Sequence, residues 1–373
     1  MDLLSIPTPR VVVDVSRVRQ NIANMAALAS TAGVRLRPHA KTHKSPTIAR
    51  WQLDAGAVGI CCAKLGEAEV FAEAGVHDIR LPYPVQPHNA SRVAALLDRV
   101  QLSIIVDDLN VARGWSAAMT SAGRTLDVLV KVDVGFHRCG VNPDDPGVVD
   151  TILKIAGLAG LRLRGLLSHA GHGYLAQSAA ELERIARDEA SVLTTMAARV
   201  RERGVAVDEI SVGATPTARF VGQQPGITEM RPGNYVFFDR TQVGLEAARF
   251  DDCALSVVST VVSRPAADRV IFDAGSKTLT NDGARGFCAT PGYGSVYARL
   301  DDREPDPSIV IERLSEEHAT ARVSESCALR PGDRVRILPN HSCVVTNMVD
   351  ELLIVEDGHV IDRMSVAARG RIW

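Results

Sequence analysis

From residue 10 to about residue 240, short β-branched runs alternate with longer amphipathic stretches. RVVVDV precedes a helical pattern that starts at Ser16, VRLRP precedes SPTIARWQLDAG, and AVGICCA precedes LGEAEVFAEAG. HDIRLPYP, QLSIIVD, LDVLVKVDVG, LRLRGLLSHA, DEISVG and YVFFD continue the series, mostly separated by helical periodicity that ends near a glycine. Roughly eight or nine such strands in alternation with helices predict parallel βα units. Their number and spacing match a closed (β/α)8, TIM-like barrel over residues 10–245 better than an open doubly wound sheet, which periodicity alone leaves standing.

Beyond about residue 250 the pattern changes. CALSVVSTVVSR, DRVIFDAG, SIVIERL, ATARVS, DRVRILP and ELLIVEDGHVIDRM are strand-like runs punctuated by Gly, Pro, Asp and Asn, with almost no helical period between them. Residues 246–373 therefore read as an all-β domain, with residues 1–9 as candidates to join it.

Bulk properties narrow the class. The 373 residues suffice for two domains with full cores. Lys and Arg number 42 against 44 Asp and Glu, a net charge of -2, and no basic tract is present to follow nucleic acid or an anionic membrane. The seven cysteines are scattered apart from Cys61 and Cys62, form no CxxC pair and follow no secretory leader, as expected in a reducing cytoplasm. No apolar run approaches the roughly 20 residues of a membrane span.

In a barrel, chemistry belongs at the C-terminal strand ends. Lys41 follows VRLRP, Arg138 follows VLVKVDVG, His169 and Tyr174 follow LRLRGLL, Gly213 and Thr215 follow DEISV, and Gly233 with Asn234 follows ITEMRP. The loops SVGATPTA and RPGNY each place a glycine after a buried strand, so that backbone N–H groups can turn toward an anion such as a phosphate; ordinary strand-end turns are the plainer alternative. GHGYLA comes too late in the chain for a dinucleotide fingerprint, and AGSKT lacks the spacing of a P-loop. His341 and Cys343, two apart in LPNHSC, would share one face of an extended segment, where an imidazole and a thiolate can bind one metal ion, zinc by donor type. A buried cysteine beside a hydrogen-bonded histidine explains the same spacing.

RPHAKTHKS, HRCGV, SHAGHGY, SVGATPT, RPGNYVFFD, DAGSKTLTND and PNHSC, in this order over nearly the whole chain, resemble the fold-type III pyridoxal-phosphate enzymes related to D-serine dehydratase and D-threonine aldolase. The resemblance implies an alanine-racemase-type barrel followed by a β domain. It implies that Lys41 carries pyridoxal 5'-phosphate as a Schiff base, that Arg138 lies near the phenolic oxygen and His169 beside the ring, and that Thr215, Gly233 and Asn234, in the loops that also hold Gly213 and Tyr235, bind the phosphate. His341 and Cys343 would hold a divalent metal, zinc first, manganese or magnesium otherwise. The family usually works as a homodimer on small-molecule D-amino acids, and DAGSKTLTND would serve across the interface.

An imine-forming lysine must be partly neutral, and an unperturbed pKa of about 10.4 leaves little free amine at pH 7. His39, His43, Lys44 and Arg138 are the cations expected to lower that of Lys41. A metal near the β-carbon then serves either dehydration of a D-3-hydroxy amino acid (D-serine or 3-hydroxy-D-aspartate) to a 2-oxo acid and ammonia, or aldol cleavage to glycine and an aldehyde. Tyr174, where the related aldolases tend to have a histidine, and Cys343, where they often have aspartate, favour dehydration. AKLGEAEVF and HRCGV lie nearer the aldolases, and His172 is an alternative base. A pyridoxal-phosphate carrier without catalysis is the rival of another class; the β domain argues against it.

Overall fold

The structure, a computed structural model, describes residues 2–373. Strand β1 (Arg10–Asp14) leads into a helix over Val15–Thr31 whose first turn is capped by the Asp14 carboxylate, which accepts the Arg17 N–H at 3.1 Å. Eight parallel strands follow: β2 (Arg35–Leu36), β3 (Ile60–Cys61), β4 (Asp78–Pro84), β5 (Gln101–Val106), β6 (Leu126–Lys131), β7 (Leu161–Leu167), β8 (Glu209–Val212) and β9 (Glu229–Met230). They pair in the order β2-β9-β8-β7-β6-β5-β4-β3. One parallel bridge, His39 with Cys61, joins the two ends of this sheet. The Cys61 N–H donates to Pro38 O at 2.7 Å and the Ala40 N–H to Cys61 O at 2.8 Å. The sheet is thereby a closed ring with helices outside it.

Two expectations fail here. RVVVDV does not open the barrel: β1 runs antiparallel to Leu255–Val258 and parallel to Leu353–Val355, in the second sheet. Its three valines are all buried, Val12 against Leu3, Ile6 and Val258, and Val11 and Val13 on the main core. An apolar run of this kind marks a strand covered on both faces without revealing which sheet receives it. YVFFD is not a strand either. Asn234–Val236 forms a single 3-10 turn, followed by a short helix over Arg240–Gly244 capped by Asp239. A short buried run has no period that separates the two conformations.

The second sheet contains β1 with β10 (Leu255–Ala266), β11 (Arg269–Phe272), β12 (Ser295–Tyr297), β13 (Val310–Leu314), β14 (Ala319–Arg322), β15 (Arg334–Leu338), β16 (Glu351–Glu356) and β17 (His359–Ser365), mostly antiparallel. Asp2 bridges to His359. No helix among the described residues is long and apolar enough to cross a membrane.

Inside the barrel lies an ionic layer. The Glu229 carboxylate accepts from Arg37 Nε at 2.8 Å, from Ser211 Oγ at 2.6 Å and from Arg80 Nη1, while Arg80 Nη2 reaches Glu209 at 2.6 Å. All four charged side chains are buried. Burial alone would raise the Glu229 pKa, but Arg80 and Arg37 outweigh it and hold the carboxyl at about 2 against an ordinary 4.5. Since the folded pKa is the lower one, this stabilisation is complete above about pH 4.5 and disappears as the pH falls toward 2. Glu229→Ala leaves Arg80 with Glu209 alone and Arg37 with Asp78 alone, and is expected to cost about 3 kcal/mol, read from denaturant midpoints; a loss under ~1 kcal/mol contradicts the layer's structural role.

Candidate active site

A cavity of about 540 Å³ opens at the C-terminal end of the barrel, bordered by the second sheet, and falls in the size class of cofactor sites. Lys41, Arg138, His169, Tyr174, Gly213, Thr215, Gly233, Asn234, His341 and Cys343 all line it. Lys41 is exposed to it, and its amine forms no hydrogen bond or ion pair among the described residues.

Two candidates lie elsewhere. His172 is absent from the cavity wall; its ring lies within 3.6 Å of the point where a side chain on Gly135 would begin, and its Nδ1 is buried without a partner. The 3-10 turn over Gly171–Leu175 sends its side chain and that of Tyr174 in different directions. The Tyr235 phenol is fully buried in the core, where it accepts from Gln52 Nε2 at 2.9 Å. Only its backbone belongs to the cavity loops.

The expected cationic crowd around Lys41 does not form. His43 turns its edge to Phe71, accepts the Ser45 N–H at 3.1 Å, and is pushed by burial to a pKa of about 4. Lys44 is buried in an ion pair with Glu67 at 2.9 Å. Burial, then the charges of Lys41 and Arg231, keep His39 neutral. Consecutive residues of a tight segment point in different directions, so adjacency in sequence did not become adjacency in space. The cations of the cavity come from other strands instead. Lys131, at the end of β6, is held by burial and then by the Arg231 charge near a pKa of about 7. A lysine directly after the apolar run Val128–Val130 was the signal for it.

The residues fit a bound phosphate. Thr215 Oγ1 accepts the Gly233 and Tyr235 N–H groups at 3.2 and 3.3 Å, which leaves its own proton free to donate. The N–H groups of Ala214, Thr215 and Asn234 meet no acceptor among the described residues. Such converging, unsatisfied donors form an anion cradle. Side chains at Gly213 and Gly233 would strike Arg231 N at 3.0 Å and His39 Cβ at 2.9 Å, so the loops depend on glycine for close strand approach. The Asn234 side chain has another duty: Nδ2 donates to Asp239 at 2.6 Å and to Ser342 Oγ at 3.0 Å, and lies 3.7 Å from Cys343 Sγ. His169 Nδ1 donates to Gly213 O at 2.7 Å, which directs Nε2 toward the cavity, and burial followed by Lys41 and Lys131 keeps the ring neutral.

His341 and Cys343 do come together, though not on a strand. His341 caps the helix Ser342–Asn347, and Cys343 lies in its first turn. Burial would protect the thiol and discharge the imidazole, but their mutual attraction wins: the Cys343 pKa is lowered, and that of His341 is raised to about 10. His341 Nδ1 is bound to Asp282 Oδ2 at 2.5 Å, so the other ring nitrogen serves the cavity. No cluster of three or more His, Cys, Asp or Glu able to hold a metal exists among the described residues. A metal on this pair would thus keep positions for water and substrate. Asp282, expected across an interface, lines this chain's own cavity. Because carboxylates that orient ligating histidines typically matter 10- to 100-fold in affinity, Asp282→Asn is expected to weaken zinc binding by about that factor in a chelator competition. Unchanged zinc affinity contradicts it.

A closed barrel with an uncommitted lysine at its mouth and a second, mostly antiparallel sheet beside it is the fold of the alanine-racemase-like proteins. Residues 13–241 match the family model for the alanine racemase N-terminal domain, and residues 254–355 match the putative serine dehydratase domain. The chain belongs to the branch of this pyridoxal-phosphate-dependent family that includes D-serine dehydratase and D-threonine aldolase. It is 35% identical to a D-threonine aldolase from Arthrobacter sp over 99% of this chain and 94% of that one. It is 36% identical to the D-threo-3-hydroxyaspartate dehydratase of Delftia sp. (strain HT23), over 91% and 92%. The solved structure of that dehydratase superposes with a TM-score of 0.91 and 32% identity over 98% of both chains.

Proposed function

We propose that the protein is a pyridoxal-phosphate- and zinc-dependent lyase that dehydrates a D-3-hydroxy amino acid to a 2-oxo acid and ammonia. When bound, pyridoxal phosphate supplies an electron sink for the α-carbon, and the divalent metal supplies a Lewis acid at the β-oxygen. Thr215 and the free N–H groups of Ala214, Thr215 and Asn234 would anchor the phosphate. Lys41 would hold the cofactor, and its free amine would be the group that takes the α-proton. His341 and Cys343, one nitrogen and one sulfur donor, suit zinc.

One observation carries the choice of dehydration. Tyr174 lines the cavity with the metal-ligand pair, whereas His172 does not. Burial first, then the negative charges of Cys343 and Asp239, push the Tyr174 pKa above its ordinary value. Its phenol is a proton donor. Loss of a hydroxyl needs a proton supplied to the departing oxygen, whereas aldol cleavage needs one removed from it. Support for zinc over other metals comes from the donor set, and for a cytoplasmic homodimer from the family resemblance and the seven free cysteines.

Protein loaded with pyridoxal phosphate and zinc is incubated with D-serine, D-threonine and 3-hydroxy-D-aspartate, and the products are identified. Equal yields of ammonia and 2-oxo acid support dehydration. Glycine without ammonia replaces it with the aldolase reaction.

A further inference from the structure

Arg285 lines the same cavity as Tyr174, Asp282, His341 and Cys343. It makes no hydrogen bond or ion pair with any other described residue. Of the other guanidiniums of the cavity, one is satisfied by hydrogen bonds within the barrel and one, also without a carboxylate partner, packs against an aromatic ring. Arg231 donates to Ser211 Oγ, Val212 O and Ser168 O, and Arg138 lies 5.0 Å from the Phe136 ring centre. The carboxylates near Arg285 are occupied too: Asp282 by His341, and Asp239 by Asn234 and Ser342. Arg285 therefore faces the cavity as a cation with no protein anion to neutralise it.

Its loop is fixed at both ends. Thr280, a β-branched residue, sits at φ 67°, a conformation that only a determined surrounding sustains, and its Oγ1 accepts the Asp282 N–H at 3.1 Å. Asn340 Nδ2 donates to Asp282 O at 2.8 Å. On the far side Gly286, at φ 102°, lies against the Gly244 backbone, and the Cys288 N–H donates to Gly244 O at 2.9 Å. Arg285 is thus presented on an anchored segment, three residues from the carboxylate that orients His341. Its charge also bears on the Tyr174 hydroxyl. These residues line one part of the cavity, so a substrate whose β-hydroxyl is directed to the His341 and Cys343 pair would bring its β-carbon toward this wall. A guanidinium fork matches a carboxylate in plane and in charge.

We propose that Arg285 reads a carboxylate on the β-carbon, making the preferred substrate class the 3-hydroxy-D-amino acids that carry a second carboxylate. This inference rests on the lyase reading above. It is tested separately from turnover by titrating the holoenzyme with D-aspartate and D-alanine, which lack the β-hydroxyl and differ in the second carboxylate. The wild type binds D-aspartate more tightly. Arg285→Met lowers D-aspartate affinity by roughly 10- to 100-fold and D-alanine affinity by less than about 3-fold, and Arg285→Lys recovers part of the difference. Among hydroxylated substrates, the ratio of kcat/KM for 3-hydroxy-D-aspartate to that for D-serine falls by a similar factor. Equal losses for D-aspartate and D-alanine would show that Arg285 reads the α-carboxylate, and no wild-type preference would show that it reads neither; both overturn the proposal. Absence of turnover on any hydroxy amino acid overturns the lyase reading, while the two titrations still decide the role of Arg285.

Discussion

Lys41→Ala protein no longer retains pyridoxal phosphate through borohydride reduction and denaturation, and its lyase kcat/KM falls by about 10³-fold or more. The first effect follows from removal of the only cavity amine among the described residues that is exposed and uncommitted. The second combines loss of covalent attachment with loss of the group that takes the α-proton, a role worth roughly 10²–10⁴-fold by itself. The outcome is not a foregone one, because the cavity holds a second amine. Lys131, with its pKa near 7, has a substantial neutral fraction at physiological pH. Geometry separates the two: Lys41 stands open to the cavity beside the phosphate loops, whereas Lys131 is buried at the end of β6. Mass analysis of the reduced, digested protein decides between them, and a label on the Lys131 peptide would move the covalent site.

Cys343→Ala is expected to empty the metal position and to lower dehydration by about 10²–10³-fold, the several kcal/mol that Lewis-acid help supplies to a poor leaving group. Elemental analysis should show loss of stoichiometric zinc, while the cofactor stays attached and the melting temperature changes little. The sulfur supplies negative charge that outweighs burial at the His341 ring. Its removal leaves His341 with Asp282 alone, a poorer ligand set. Treating the wild type with a chelator should reproduce the rate loss and added zinc should reverse it. Full activity in metal-free wild type would remove the metal from the reaction.

Much of this architecture is legible in the chain, and the failures have physical causes. The alternation of apolar runs and amphipathic segments describes the parallel barrel, and the punctuated runs after residue 250 describe the second sheet, because burial imposes those periods directly. The strand ends meet at one cavity: Lys41, Arg138, His169, Thr215 and Gly233 line it together although nearly 200 residues separate the first from the last. What failed was direction. His172 and Tyr174 are two apart, and only one faces the cavity; His43 and Lys44 follow Lys41 closely, and both point into the core. In irregular turns no period fixes where a side chain goes. Asp282 closes the motif DAGSKTLTND, which did not reveal its bond to His341, and Arg285 carried no motif at all; their significance arises from the fold bringing the loop after residue 280 against the helix that holds Cys343.

The barrel's closing joint has a mechanical meaning. Between β2 and β3 the ring is held by one bridge at His39 and Cys61 and a few flanking amides, whereas β6 and β7 share a six-residue register. Lys41 stands two residues beyond that bridge, so the reactive lysine rides on a sparsely paired seam of the ring. The amide protons of Ala40 and Cys61 should accordingly exchange with solvent faster than those in the middle of β6. Ligands that tie Lys41 to the Thr215 loop should slow them, so that occupancy of the site is written into the stiffness of the barrel itself.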